Sequence, residues 1–91
     1  MKIIKINAMW CPGCLISKNI WNDIENMYPN HTYINLDYDM DEEKVEKYNV
    51  GEILPVVIIE DNNEEVKRII GEKTKKEILE ELSGILWKKY G

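Results

Sequence analysis

The two cysteines of this chain stand three positions apart, as Cys11 and Cys14 in the segment Met-Trp-Cys-Pro-Gly-Cys. Two thiols at this spacing suit three purposes: a redox-active disulfide, a pair of metal ligands, or a structural staple. A β-branched apolar run, Lys2–Asn7, precedes them, and Pro12 is a residue favoured at the first position of a helix. The pair is therefore predicted to lie where a strand turns into a helix.

Size and charge limit the classes of function that remain. A chain of 91 residues is long enough for a single domain, residues 1–91, with one modest core. A net charge of −5 argues against nucleic-acid binding and against docking on anionic membranes. No secretory signal or membrane-spanning stretch is visible, so we expect a cytoplasmic monomer, in a compartment where structural disulfides are rare.

Apolar periodicity predicts four strands and three helices without a linker or a repeat. The strands are predicted at Lys2–Asn7, Thr32–Asp37, 56–60 and 65–70, with a hairpin turn at Asp61, Asn62 and Asn63. The first helix begins at Pro12 and carries Ile16, Ile20, Ile24 and Met27 at helical spacing. The second is capped by Asp39 or Asp41 and carries Val45 and Tyr48. The third follows a capping box, Thr74 to Glu77, with an inner side of Ile78, Leu79, Leu82, Ile85 and Leu86.

The resulting order, β-α-β-α-β-β-α, predicts an α/β fold. The first β-α-β unit should be parallel and right-handed, and the closing hairpin adds an antiparallel pair. We therefore expect a mixed four-stranded sheet between helices, with Trp21 and Trp87 in or near the core. The predicted helix start also makes Cys11 the N-cap, where unpaired N–H groups and the helix dipole favour negative charge. Cys14 lies one turn on, on the same side of the helix.

These residues resemble those of the thioredoxin family. Trp10 to Cys14 is similar to the family's Trp-Cys-x-x-Cys site, and Ile53 to Pro55 is similar to its cis-proline segment. The resemblance implies a thioredoxin-like fold and a thiol-disulfide oxidoreductase with no cofactor beyond the Cys11–Cys14 disulfide. Its partners would be protein disulfides and an electron donor of the thioredoxin-reductase type.

The resemblance also implies individual roles. Cys11 would attack the substrate disulfide and Cys14 would resolve the mixed disulfide. Pro55 would follow a cis bond, although a trans proline at a strand start is the alternative. The backbone of Leu54 would pair with the substrate, and Trp10 would form part of the rim. Pro12 stiffens the site and Gly13 leaves its mouth open.

The sequence departs from the thioredoxin pattern at two places and from the glutaredoxin pattern at two others. Lys5 stands where thioredoxins have a buried acid, and Tyr33 stands where they have a partner lysine, so Cys14 lacks an obvious proton acceptor. Glutaredoxins of this size have a polar residue before the proline and a Gly-Gly turn, where this chain has Leu54 and Gly71-Glu72. A glutathione site is therefore disfavoured, although a glutaredoxin-like reductase remains an alternative.

Two further alternatives treat the cysteines differently. Met-x-Cys-x-x-Cys also fits small Cu(I)-carrying domains, whose element order is β-α-β-β-α-β. A structural zinc site would need four ligands, and His31, expected in a solvated turn, is the one other soft donor besides Cys11 and Cys14. We therefore expect no metal site. An interaction module with an idle disulfide is the remaining possibility, since a fold does not fix a function.

Overall fold

The computed structural model describes residues 1–85, which adopt the predicted β-α-β-α-β-β-α order. The strands are β1 (Lys2–Asn7), β2 (Thr32–Asp37), β3 (Val56–Asp61) and β4 (Glu64–Ile70). The helices are α1 (Pro12–Met27), α2 (Glu42–Glu46) and α3 (Lys75–Ser83). The predicted α/β class is confirmed, and the order differs from that of the small copper-carrying domains.

The four strands form one mixed sheet in the order β2-β1-β3-β4. Strand β1 is parallel to β2 and antiparallel to β3, and β3 pairs with β4 in an antiparallel hairpin. Asn62 and Asn63 close this hairpin with φ angles of 54° and 66°, a left-handed conformation that asparagine tolerates. The central position of β1 explains its apolar sequence, because both of its faces are covered.

Each face of the sheet has its own hydrophobic core. On one side, α1 and α3 cover Ile3, Val57, Ile59 and Ile69 with the buried side chains of Trp21, Ile24, Tyr28, Ile78 and Leu82. On the other side, Val45 of α2 packs with Ile4, Ile6, Leu36, Val56 and Ile58. The core position predicted for Trp21 is confirmed, whereas Trp87 and Leu86 lie outside the described residues.

The buried face of α1 differs from the predicted one. Ile16 and Met27 are 53% and 49% exposed, whereas the buried residues of the helix are Cys14, Ser17, Trp21 and Ile24. The buried set starts at Cys14, and Ile16, two residues further on, projects about 200° away around a helix of 3.6 residues per turn. Directing Cys14 towards the sheet therefore turns Ile16 towards solvent.

Local signals predicted the helix termini more accurately. The Thr74 hydroxyl accepts a hydrogen bond from the Glu77 amide, and the Glu77 carboxylate accepts one from the Thr74 amide, each at 3.1 Å, so the capping box is confirmed. Asp41 is the N-cap of α2, but its carboxylate accepts a hydrogen bond from the Asp37 amide and does not cap the helix. Tyr48 lies beyond the end of α2, where it packs half-buried against the second core.

Candidate active site

Cys11 is the N-cap of α1, as predicted, and Pro12 is the first helical residue. The Cys11 backbone is extended (φ −98°, ψ 109°), and its Sγ accepts a hydrogen bond from the Cys14 amide at 3.2 Å. This bond satisfies one of the N–H groups that a helix leaves unpaired at its first turn. The geometry therefore places a sulfur atom on the positive end of the helix dipole.

Cys14 is buried, with 3% of its surface exposed, and both cysteines are free thiols. Burial raises the pKa of the Cys14 thiol to about 11, and the hydrogen bond with the Cys11 side chain acts in the same direction. The backbone of Ala8 offsets part of this shift. Cys14 is thus kept as a neutral thiol at physiological pH.

The two cysteines form a small buried cluster with Ala8, against which Leu54 and Tyr38 pack. The Leu54–Pro55 peptide bond is cis, as the resemblance implied, and Pro55 is buried. The Pro55 carbonyl accepts a hydrogen bond from the Gly71 amide at 2.8 Å. The fold therefore brings together the strand-to-helix turn, the proline segment and the loop after β4.

Trp10 lies at the edge of this cluster and is 60% exposed. Its indole Nε1 donates a hydrogen bond to Asp39 Oδ2 at 2.7 Å, and its ring meets that of Tyr38 edge to face, with centroids 6.1 Å apart. The sequence indicates Asp39 only as a possible helix cap, and nothing in it predicts this contact with Trp10, 29 residues away along the chain. The signal that could have found Asp39 is the indole N–H of Trp10 itself, since such a group commonly has a hydrogen-bond acceptor nearby.

Gly13 lies beneath the side chain of Glu72. A Cβ atom on Gly13 would come within 3.0 Å of Glu72 Oε2 and within 3.5 Å of Glu72 Cβ. The absence of a side chain at Gly13 therefore leaves space that the carboxylate of Glu72 occupies. The sequence indicates Gly13 as an opening in the site and Glu72 as a departure from the Gly-Gly turn of glutaredoxins. Nothing in it predicts that the two residues meet.

Lys5 and Tyr33, the two departures from the family pattern, lie close to each other. The Lys5 ammonium is buried, forms a salt bridge with Glu25 of α1, and lies 5.7 Å from the centre of the Tyr33 ring. Lys5 is not among the groups that shift the pKa of Cys14. The position of the family's buried acid is thus occupied by Lys5, which makes a structural contact with Glu25. It does not supply a proton acceptor for Cys14.

Cys14 also lines a groove whose largely apolar surface includes several polar side chains. Its lining includes Cys14, Lys18, Asp37 and Asp41, together with Asn7 and Asn35. Lys18 follows Cys14 by four residues on α1, so the two share a helix face. The sequence does not predict that these residues meet, because they come from α1, β1, β2 and the turn before α2.

No cluster of three or more His, Cys, Asp or Glu side chains in residues 1–85 is arranged to hold a metal ion. His31 is half-buried, not solvated as expected, and its Nδ1 lies 3.3 Å from the N-terminal nitrogen. Within the same residues, each helix is too short or too polar to cross a bilayer.

Comparison with known proteins identifies the family. The family model described as Thioredoxin matches residues 1–84, so the chain belongs to the thioredoxin family. Thioredoxin H5 of Oryza sativa subsp. japonica is 29% identical over 69 residues, which cover 76% of this chain. The chain spans about half, 50%, of the length of this curated relative.

Solved structures support the same fold. Thioredoxin from Fasciola hepatica has a TM-score of 0.82 at 22% identity, covering 91% of this chain and 78% of its own. The reduced Schistosoma mansoni thioredoxin pre-protein has a TM-score of 0.80 at 22% identity, covering 91% and 76%. Mitochondrial thioredoxin 3 from Saccharomyces cerevisiae has a TM-score of 0.81 at 17% identity, covering 92% and 77%. At these sequence identities the solved structures establish the fold of this chain. The reaction has to be inferred from the residues of the site.

Proposed function

We propose that this chain is a thiol-disulfide oxidoreductase that exchanges electrons with protein disulfides through Cys11 and Cys14. The observation that carries the proposal is the N-cap sulfur of Cys11, held 3.2 Å from the Cys14 amide at the start of α1. A helix N-terminus favours negative charge on a sulfur, and the thiolate is the form that attacks a disulfide. No bound cofactor is needed, because the dithiol itself carries the two electrons.

The reaction takes place in two exchanges. The Cys11 thiolate attacks one sulfur of the substrate disulfide, forming a mixed disulfide and releasing the other substrate sulfur as a thiolate, which takes up a proton. Cys14 then loses its proton and attacks the Cys11 sulfur. This step forms the Cys11–Cys14 disulfide and releases the second substrate thiolate. The substrate gains two electrons and the protein loses two.

The second exchange requires an acceptor for the Cys14 proton, because its thiol has a pKa of about 11. We infer that the proton leaves through the groove that Cys14 shares with Lys18, Asp37 and Asp41, whose largely apolar lining includes these polar side chains. The departing substrate thiolate, which is itself basic, is a second acceptor. Since Cys14 attacks within the same molecule, a small thiolate fraction is sufficient at high effective concentration.

The surrounding residues suit a protein chain as the substrate. Trp10 offers an exposed aromatic surface, and Leu54 lies half-buried against the two cysteines ahead of the cis peptide. The backbone of Leu54 is proposed to pair with the substrate, beside Pro12, Gly13 and Pro55. Fixed backbone groups beside a reactive sulfur position an extended chain without restricting its sequence strongly.

The electron donor is proposed to be a flavin-dependent reductase of the thioredoxin-reductase type. Glutathione is anionic and needs polar anchors for its carboxylates. Here Leu54 is apolar, and the Glu72 carboxylate lies beside Gly13, where it would repel an anionic peptide. An unfavourable contact of only about 1.4 kcal/mol is sufficient to weaken the binding of glutathione tenfold.

Two parallel donor assays test the proposal, with insulin as the disulfide substrate. One contains thioredoxin reductase and NADPH, and the other contains glutathione, glutathione reductase and NADPH. We expect NADPH consumption in the first to exceed that in the second, and to disappear in Cys11→Ser. Faster reduction by glutathione would show that the chain uses the electron donor of a glutaredoxin. No insulin reduction with either donor, together with stoichiometric Cu(I) or zinc that survives a modest chelator, would support a metal carrier instead.

A further inference from the structure

The surface around Cys11 is formed by three segments that contact one another: the CxxC turn, the segment before Pro55 and the loop after β4. Gly71 is hydrogen-bonded to the Pro55 carbonyl, and a Cβ atom on Gly71 would lie 3.5 Å from Cγ2 of Ile53. Gly71 has a φ of 86°, which a side chain would strain, and this conformation leads directly into Glu72. The Glu72 carboxylate is therefore presented next to the CxxC turn by a fixed backbone.

Exposed apolar side chains lie in or next to each of these three segments. Trp10 is 60% exposed, Ile53 is 63% exposed and Ile70 is 49% exposed. A partner that covers them gains from apolar burial, at roughly 25 cal/mol for each Å² removed from water. Such contacts supply affinity with little discrimination, so the charges beside them determine which partners are favoured.

Carboxylates lie on both sides of this apolar surface. On one side Glu72 lies over Gly13. On the other side Asp39 accepts the Trp10 indole hydrogen bond and lines one groove with Glu42 and Glu46. A substrate chain that crosses the Cys11 sulfur between Trp10 and Glu72 thus meets negative charge in both directions.

The lysines near Glu72 also have other acidic neighbours. Lys75 pairs with Asp23 at 3.4 Å, and Lys73 contributes to lowering the pKa of Glu77. Both line a groove with Glu72 and Ile16, on the flank of the turn. Lys18 lies in the groove beside Cys14 with Asp37 and Asp41. Each of these cations therefore has an acidic neighbour, and the chain as a whole carries a net charge of −5.

We propose that the disulfide partner of this chain carries cationic side chains beside its reactive cysteine, and that Glu72 is the residue that selects them. This inference rests on the proposed disulfide exchange at Cys11 and adds the class of substrate. Glu72 has this role because its carboxylate lies beside Gly13, the residue that stands between Pro12 and Cys14 in the turn. Asp39 supports the same selection from the Trp10 side.

Three symmetric peptide disulfides test the inference. They share one sequence around the cysteine and differ only in flanking residues, which are lysine, glutamine or glutamate. Reduction by the pre-reduced protein is followed in a single turnover, so no electron donor is involved. The variants are Glu72→Gln and, as a matched control with the same change of charge, Glu64→Gln. Glu64 is exposed at the start of β4, the opposite end of the strand that leads to Gly71.

We expect the lysine peptide to be reduced at least about tenfold faster than the glutamate peptide at low salt, with a difference that shrinks as salt screens the charges. Glu72→Gln should reduce this ratio about two- to fivefold, as loss of an exposed ion pair does, and Glu64→Gln should leave it unchanged. Equal rates for all three peptides, or equal effects of the two variants, would overturn the inference. In those cases the glutamine peptide is still reduced, so the proposed function stands. Failure to reduce even the glutamine peptide would overturn the proposed function, and the inference with it.

Discussion

Helix α1 contacts two buried ionisable groups that are stabilised in opposite ways. Near its C-terminal end, the Lys5 side chain is only 6% exposed and forms a salt bridge with Glu25. In its first turn, Cys14 is also buried, and the groups that shift its pKa are the Cys11 side chain and the Ala8 backbone. Lys5 therefore has a partner of opposite charge, whereas no cationic group is among those that shift the pKa of Cys14.

The difference shows that Lys5 has a structural role, whereas Cys14 is kept in a form that can take part in a reaction. A buried ammonium is tolerated where a carboxylate compensates for lost hydration, and removing that partner is costly. A buried thiol avoids the same cost by remaining neutral, so the pKa of Cys14 rises to about 11. In the proposed mechanism, Cys14 therefore remains a neutral thiol until a mixed disulfide forms on Cys11.

The largest effect is expected at the cysteines. Cys11→Ser should reduce disulfide exchange by at least about a thousandfold, since loss of a nucleophile elsewhere costs that much or more. Cys14→Ser should instead accumulate stable mixed disulfides through Cys11. Trapping is measured on non-reducing gels with a disulfide peptide, and urea unfolding confirms that both variants are folded. Equal trapping by the two variants would show that the two roles are not distinct.

The pH dependence of stability should reveal the unpaired thiol. The pKa of Cys14 is raised from 9.0 to about 11, so the folded state holds this proton more tightly than the unfolded state. This stabilisation is present below pH 9 and is lost as pH rises through 11, by up to about 2–3 kcal/mol. Urea unfolding of the reduced protein at pH 8.5 to 11 measures it, with Cys14→Ser as the reference that corrects for other groups. Parallel pH curves for the two proteins would contradict the shift.

Removing the partner of Lys5 should destabilise the fold without changing the chemistry. Glu25→Gln leaves a buried ammonium without its carboxylate and should lower the free energy of unfolding by about 2 kcal/mol. This is less than for a fully buried pair, because the Glu25 side chain is 29% exposed. Lys5→Met removes the charge itself and should cost less than about 1 kcal/mol. Slower disulfide exchange in Glu25→Gln at full folding would place this pair in the mechanism.

The smallest effect is expected beside the same pair. The Tyr33 hydroxyl donates a hydrogen bond to the Tyr28 carbonyl at 2.7 Å, and the Tyr33 ring lies near the Lys5 ammonium. Tyr33→Phe keeps the ring and should cost about 1 kcal/mol or less. Chemical denaturation measures the loss, and the rate of disulfide exchange should be unchanged. A change of several kcal/mol would mean that the hydroxyl supports the Lys5–Glu25 pair.

Features that depend on neighbours along the chain could be predicted from the amino-acid sequence. Strand and helix order, the N-cap position of Cys11 and the Thr74 capping box all follow from hydrogen bonds and periodicities that span a few residues. The resemblance of residues Trp10 to Cys14 and of Pro55 to a known pattern added the family and the cis peptide, which no local rule of spacing would have given.

Only the tertiary structure determined which distant residues meet. Lys5 pairs with Glu25, Trp10 bonds to Asp39, and Glu72 covers Gly13, although the partners of each pair are far apart in the sequence. The rotation of α1 that buries Ser17 and exposes Ile16 belongs to the same category. These contacts depend on how the helices lie across the sheet and which loops gather at its edge. Periodicity shows that a helix has a buried face, but the packing partner decides which of two similar faces it is.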